Sequence, residues 1–173
     1  MADKDKGKNL IVDANILIDY LNCDENLLLL IKEYIGQIYL ASPLLGEIDS
    51  LDADRCQRLG INIAEPTMEQ LSWAADQEFS ISFQDKICLR MAKDHDWILV
   101  TNDKALRKRC ASEDIIILIW GVELICMFYE AGGLHRDDAR AIIWTLHYND
   151  PLYITKEIVC RALNRLGIVE KEE

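Results

Sequence analysis

The chain has 173 residues, half of them hydrophobic, which is enough for one domain with a sizeable core. Its formal net charge of −11 argues against a general nucleic-acid coat protein, which needs a basic face, although a local basic patch would still serve an enzyme that acts on nucleic acid. No apolar run approaches the roughly 18–20 residues of a membrane span, and residues 1–8 lack the apolar centre of a signal peptide. We therefore expect a cytoplasmic protein with no membrane segment and a flexible tail at residues 1–8.

Short apolar runs predict the strands of a parallel sheet, whose strands are covered by helices on both faces. In chain order the runs are residues 9–13, 38–41, 61–64, 97–101 and 115–119. The last run, Ile115–Ile119, is apolar enough to predict burial on both faces.

Helical segments alternate with these runs. Two are expected at residues 16–21 and 26–35, the second ended by Gly36. Ser42 as N-cap and Pro43 at the first helical position predict a helix that carries Glu47. Further on, Thr67 to Gln70 matches a capping box. Ser82 opens an amphipathic helix through Lys93 with an apolar face, and a short basic helix is expected over residues 104–110.

After Trp120 the pattern is helical only, with segments at about 122–130, 136–148 and 155–166. The predicted fold class is therefore α/β, a three-layer α/β/α arrangement around a parallel sheet of about five strands. We expect residues 9–120 to form this core and residues 121–173 to form a C-terminal helical extension packed on it.

Four acidic residues occupy special places in this pattern. Asp13 and Asp103 end strands, Glu47 lies on the helix after the second strand, and Asp85 lies in the first turn of a helix. With right-handed crossovers, strand ends and the following helix starts face one edge of the sheet, so these side chains are plausible neighbours. Clustered carboxylates call for a cation, and Mg²⁺ or Mn²⁺ held by oxygen ligands can promote phosphodiester hydrolysis.

Each acid also has a purely structural interpretation. Asp13 and Asp103 would serve as helix caps, Asp85 as the reciprocal member of a capping box, and Glu47 as a solvated helix residue. The supporting residues Asn15 and Thr101 would either cap helices or orient groups in an acidic pocket. It is the joint occurrence of the four acids at one predicted edge that favours a metal site.

Basic residues follow two of the acids. Lys104, Arg107 and Lys108 come directly after Asp103, and Lys86 and Arg90 come after Asp85. Placed on helices that start at the site, they are candidates to bind substrate phosphates, although an ordinary solvated surface explains them equally well.

These residues resemble the PIN-domain family, named for the PilT N-terminus, and in particular its small toxin ribonucleases of the VapC type. The resemblance lies in Leu10-Ile11-Val12-Asp13-Ala14-Asn15, in Glu47, in Ser82-Phe83-Gln84-Asp85, and in Leu99-Val100-Thr101-Asn102-Asp103. The intervals of 34, 38 and 18 residues between successive acids are similar to those of the family.

The resemblance implies a three-layer α/β/α fold, Mg²⁺- or Mn²⁺-dependent endoribonuclease activity, and a metal held by Asp13, Glu47, Asp85 and Asp103. It further implies an RNA substrate, a homodimer and, in toxin members, a cognate antitoxin protein. Some members carry another acid where this chain has Arg107, so the choice between one and two metal ions stays open.

Two alternatives remain. The first is a catalytically weak PIN-like protein that serves as a binding module or regulator. The second is a haloacid-dehalogenase-like phosphohydrolase, which requires a second Asp two positions after the nucleophile, where this chain has Asn15. The sequence contains no Walker loop, dinucleotide-binding glycine motif or nucleophile elbow.

Overall fold

The computed structural model describes residues 7–78, 80–113 and 117–169. Parallel strands form one sheet in the order β3-β2-β1-β4-β5. The strands of this sheet are β1 (Lys8–Val12), β2 (Gly36–Ala41), β3 (Ile61–Ala64), β4 (Ile98–Val100) and β5 (Leu118–Ile119). Helices flank the sheet, so the predicted three-layer α/β/α class is confirmed.

Helices connect every pair of successive strands and continue after the last. They are α1 (Ala14–Cys23), α2 (Asn26–Tyr34), α3 (Ala53–Arg58), α4 (Met68–Asp76), α5 (Phe83–His95), α6 (Lys104–Ser112), α7 (Gly121–Glu130), α8 (Arg136–Asn149) and α9 (Lys156–Arg165). A 3-10 helix, Ser42–Glu47, follows β2.

The core lies between the sheet and these helices. Leu10, Ile11 and Leu99, on the two central strands, are fully buried, as expected for strands covered on both faces. Helix α5 crosses the sheet and contacts β1, β2 and β4. Its predicted inner face is confirmed, since Ile87, Cys88, Met91 and Ala92 are all buried.

The C-terminal helices pack on one another, and α8 also lies against α1. This contact joins the helices after Trp120 to the first helix of the sheet region. None of the helices in the described ranges has the length and apolar character that crossing a membrane requires.

One helix prediction was wrong in kind. Residues 42–47 form a 3-10 helix rather than an α-helix, and its N-cap is Ala41 rather than Ser42. The Ser42 hydroxyl donates to Glu65 Oε2 at 2.6 Å instead of capping. Gly46 disfavours helix continuation, and Ile48, which is extended and buried, turns the chain back into the core.

The last strand was also predicted incorrectly in part. Of the run Ile115–Ile119, residues 115 and 116 lie outside the described residues, and the strand covers only Leu118–Ile119. Both strand residues are half-buried, and Ile117 is 41% exposed. Because β5 pairs with β4 alone at the edge of the sheet, it is not covered on both faces.

Other boundaries differ by a few residues. Strand β1 begins at Lys8, so the predicted tail loses this residue to the sheet, and residues 1–6 lie outside the described ranges. The capping box at Thr67 is confirmed by reciprocal hydrogen bonds with Gln70.

Gly36 is required by the close approach of β2 to β1. It has φ +156°, and a Cβ atom built there would lie 2.0 Å from the backbone oxygen of Lys8, its partner across the sheet. We predict that Gly36→Ala lowers the free energy of unfolding by about 2–4 kcal/mol, as overpacking against rigid backbone does. Gly46→Ala is the matched control, because nothing lies within 4 Å of its Cβ position. Urea denaturation measures both, and equal stabilities would contradict the prediction.

Candidate active site

The site lies where the direction of the strand order reverses. Successive strands run from β1 outward to β2 and β3, and the chain then returns to place β4 on the other side of β1. In open α/β sheets such a switch point leaves a crevice beyond the carboxyl ends of the two strands. Val12 pairs with Val100, so Asp13 and Thr101 leave the sheet side by side.

Asp13 is the first acid of this crevice and is only 3% exposed. Its Oδ1 caps α1 by accepting from the Ile16 amide at 2.9 Å. Its Oδ2 is buried and has no hydrogen-bond partner among the described residues. Asp13 therefore fulfils the predicted capping role with Oδ1 and keeps Oδ2 available, with the Thr101 hydroxyl near enough to lower the pKa of the carboxyl group.

Asp103 enters from the neighbouring strand. It is the N-cap of α6, and its Oδ1 accepts from the Leu106 amide at 2.7 Å. Its own amide donates to the hydroxyl of Thr101 at 3.0 Å. Thr101 therefore shapes the turn that carries Asp103, and its supporting role in a site stays a prediction.

Asp85 and Glu47 come from elements that start at the same edge. Asp85 lies in the first turn of α5, where its amide donates to the Ser82 hydroxyl at 3.0 Å, so the predicted N-cap Ser82 is confirmed. Glu47 ends the 3-10 helix and is exposed. Asn15 is exposed on the first turn of α1 and does not cap this helix, since Asp13 does.

The four carboxylates are close enough to perturb one another. Burial raises the pKa of Asp13 to about 6; the Thr101 hydroxyl and the Ile16 amide oppose this rise, and the charges of Asp85 and Asp103 add to it. The pKa of Asp85 is raised by burial and, in part, by Asp103, and that of Glu47 by burial and by Asp85. A carboxylate whose charge is disfavoured by burial and by like charges is stabilised by a cation.

The donor chemistry of this cluster fits a hard divalent cation, because all four residues offer carboxylate oxygens and one oxygen of Asp13 is unpaired. The arrangement is not a closed ligand set. Within residues 7–78, 80–113 and 117–169, no group of three or more His, Cys, Asp or Glu side chains is placed to hold a metal ion. The structure thus brings the acids to one crevice without converging three of them on a single point.

Most of the basic residues predicted for phosphate binding already have protein partners. Lys86 Nζ donates to the Gln77 carbonyl at 2.7 Å, and Arg90 pairs with Asp94 at 3.0 Å. The Arg107 guanidinium donates to the Thr101 carbonyl at 3.1 Å and lies 3.7 Å from the ring centroid of Trp120. Lys104 and Lys108 are exposed on α6, and Lys104 directly follows Asp103, which makes it the better placed of the two.

The sequence analysis missed two buried polar residues beside the crevice. Asn102 is 2% exposed and Asp19, on α1, is 7% exposed. Burial raises the pKa of Asp19 to about 7, and the charges of Asp150 and Asp13 contribute to the rise. Asn102 lies inside the motif that carries Asp103, so its position was a usable signal. Asp19 offered none, because its neighbours are distant in sequence.

Comparisons with known proteins add one structural likeness. No protein-family model matches the sequence, and no curated protein is significantly similar to it. Among solved structures, the chain is similar to a PilT N-terminus domain protein from the hyperthermophilic archaeon Sulfolobus solfataricus P2. The TM-score is 0.46 and the sequence identity 10%, over 73% of this chain and 96% of that chain. A likeness at this level assigns neither a family nor an activity.

The buried acids predict how stability depends on pH without divalent cations. The pKa of Asp19 is raised to about 7 in the folded state, so the folded protein binds more protons than the unfolded chain between about pH 4 and 7. The free energy of unfolding therefore falls as pH rises through this range. We predict that Asp19→Asn, which keeps an oxygen to accept from Asn102, raises the free energy of unfolding at pH 8 by about 1–3 kcal/mol.

Urea denaturation from pH 4 to 8 measures this effect. The gain from Asp19→Asn should shrink toward pH 4, where the carboxyl group is protonated in the folded state and close to its ordinary pKa of 3.8 in the unfolded chain. Asp54→Asn, at an exposed position on α3, is the control and should follow the wild-type curve. An Asp19→Asn curve parallel to wild type would contradict the assignment.

Proposed function

We propose that the protein is a metal-dependent endoribonuclease that hydrolyses RNA phosphodiesters with Mg²⁺ or Mn²⁺. The observation that carries this proposal is the crevice at the strand-order switch point, where burial and the charges of neighbouring carboxylates, that of Asp103 among them, raise the pKa values of Asp13, Asp85 and Glu47. An acidic site in which one carboxylate oxygen is buried without a hydrogen-bond partner among the described residues is unfavourable for folding alone, and such sites are typical of function.

In this proposal Asp13, Asp85 and Asp103 hold the ion, and Glu47 binds from the exposed side. When bound, the ion supplies Lewis-acid activation of water and of the phosphodiester. The chain contributes orientation. Helix capping holds one carboxylate oxygen of Asp13 at the start of α1 and one of Asp103 at the start of α6, and Thr101 holds the turn before Asp103. Lys104 is the proposed contact to a substrate phosphate.

The wider assignments are also proposals. Residues 9–120 would form the nuclease core and residues 121–173 the extension. The PIN resemblance in the motifs supports RNA as the substrate, a homodimer and, for a toxin-type protein, an antitoxin partner that covers the crevice. The cytoplasmic location expected from the sequence is likewise a proposal.

The competing proposal is a PIN-like protein without catalysis. It is favoured by one observation, namely that the described residues contain no group of three acids already placed to hold an ion. Activity and metal binding must therefore be measured separately.

The first test is cleavage. We predict that RNA cleavage requires Mg²⁺ or Mn²⁺ and that Asp103→Asn lowers kcat/KM by about 10²–10³-fold, the scale of several kcal/mol of metal-dependent stabilisation. Asn still caps helices, so α6 should persist in this variant. The matched control is Asp52→Asn, because Asp52 caps α3 in the same way but lies outside the site. Equal loss in both variants, or cleavage that survives EDTA, would exclude the assignment.

The second test is metal binding without RNA. Asp13 must lose its proton to bind a cation, and burial raises the pKa of Asp13 to about 6. We predict that Mn²⁺ binds about tenfold more weakly at pH 5 than at pH 7.5, since protons compete below the pKa. Calorimetric titration of wild type and Asp13→Asn measures this. Binding by wild type without cleavage would favour the non-catalytic alternative, and no binding at either pH would reject the metal site.

A further inference from the structure

The residue before Asp103 takes part in a buried polar cluster that connects three elements. The cluster consists of Asp19 and Tyr20 on α1, Asn102 between β4 and α6, and Gly121 at the start of α7. It lies at the same edge of the sheet as the acidic crevice. The proposed function makes no use of this cluster.

Asn102 uses both ends of its amide group. Its Oδ1 accepts from the Gly121 amide at 2.9 Å, and its Nδ2 donates to Asp19 Oδ2 at 3.4 Å. The Gly121 amide is among the first donors of α7, which have no partner inside the helix. Asn102 therefore caps α7 from a different part of the chain.

The approach of α7 to this turn is close. A Cβ atom at Gly121 would lie 2.9 Å from Ile16 Cδ1 and 3.4 Å from the amide of Asn102. The Tyr20 hydroxyl donates to the Gly121 carbonyl at 2.6 Å. Both backbone groups of Gly121 are thus bonded by side chains, which fixes the start of α7 against α1 and the turn.

Two successive residues, Thr101 and Asn102, therefore fix the turn before Asp103 through hydrogen bonds to different parts of the chain. The Thr101 hydroxyl accepts from the Asp103 amide, while the Asn102 side chain is bonded to α7 and α1. Asp103 directly follows Asn102, so the position of this turn determines where the Asp103 carboxylate lies. Catalytic groups need placement within about 0.5 Å, which requires supporting residues that are themselves locked.

The cluster is also unfavourable for stability alone. Among the described residues, the buried Asp19 carboxylate accepts one long hydrogen bond, from Asn102 at 3.4 Å, and it lies near the charges of Asp150 and Asp13. Buried acids with weak compensation are rarely retained for packing.

We propose that Asn102 is a positioning residue of the acidic site, which locks the Thr101–Asp103 turn to α7 and α1 and thereby orients Asp103. This inference rests on the proposed function. It gives the C-terminal helices a part in the reaction, because the start of α7 becomes a support of the turn that carries Asp103.

The test compares the buried amide of Asn102 with the half-buried amide of Asn62. Asn102→Ala should lower kcat for RNA cleavage by about 10–100-fold, the usual effect of removing a supporting hydrogen bond behind a metal ligand, with little change in KM for RNA. It should also weaken Mn²⁺ binding and speed hydrogen exchange at the Asp103 and Gly121 amides. The control is Asn62→Ala, since Asn62 bonds Gln37 and the Ile38 carbonyl within the sheet. It should lower Tm but leave kcat and Mn²⁺ affinity unchanged.

Exchanging the pair tests rescue. The double variant Asp19→Asn/Asn102→Asp keeps an amide and a carboxylate in contact with reversed polarity, and the new carboxylate can still accept from the Gly121 amide. It should restore kcat and Mn²⁺ affinity to within about threefold of wild type. If Asn102→Ala fails to fold, the double variant serves as the test of the proposal. A folded double variant that loses more than tenfold in kcat or Mn²⁺ affinity overturns it.

The possible failures are distinguishable. If wild type cleaves RNA and folded Asn102→Ala keeps wild-type kcat and Mn²⁺ affinity, Asn102 is only a helix cap and the inference is wrong, while the proposed function stands. If wild type neither cleaves RNA nor binds Mn²⁺, the proposed function is wrong and the inference is rejected with it.

Discussion

The parallel pairing of β1 with β4 is the constraint on which the rest of the structure depends. In its register Val12 lies opposite Val100, so Asp13 and Thr101, which are far apart in sequence, leave the sheet at the same edge. Because β2 and β3 extend from the other side of β1, the crevice opens between β1 and β4. The same pairing places the turn after β4 next to the first helix, so that Asp13, Asp19 and Asn102 all become neighbours of one edge.

Two opposing demands meet at this edge. Helix caps and buried strands fix Asp13 and Asp103 in place, while burial and the charges of Asp85 and Asp103 make the charged form of Asp13 unfavourable. Apolar packing around β1 and β4, where Leu10, Ile11 and Leu99 are fully buried, provides the stability that allows this. A fold that retains such strain at one place usually does so for function.

The agreement between sequence and structure follows the range of the interactions involved. Local signals were reliable, as the capping residues Thr67 and Ser82 and the strand Ile61–Ala64 illustrate. Predictions that depend on which elements lie nearby in the folded structure were less reliable. The run ending at Ile119 is apolar, but its exposure depends on whether a further strand lies beside it. Likewise, Ser42 and Pro43 form a good helix start, yet the chain turns after Glu47 because Ile48 is drawn into the core.

The sequence alone determined the strand–helix alternation, the parallel sheet, and the places of Asp13, Asp85 and Asp103 at strand ends and a helix start, since hydrophobic period and capping chemistry are properties of adjacent residues. The acids' proximity followed only from the assumption of right-handed crossovers. Tertiary structure alone decided that Asp13 keeps an unpaired oxygen, that Arg107 packs on Trp120, and that Asn102 joins Gly121 to Asp19. The hydrogen bonds of Asn102 connect residues up to 83 positions apart, and no periodicity encodes which distant partner a buried polar group will find.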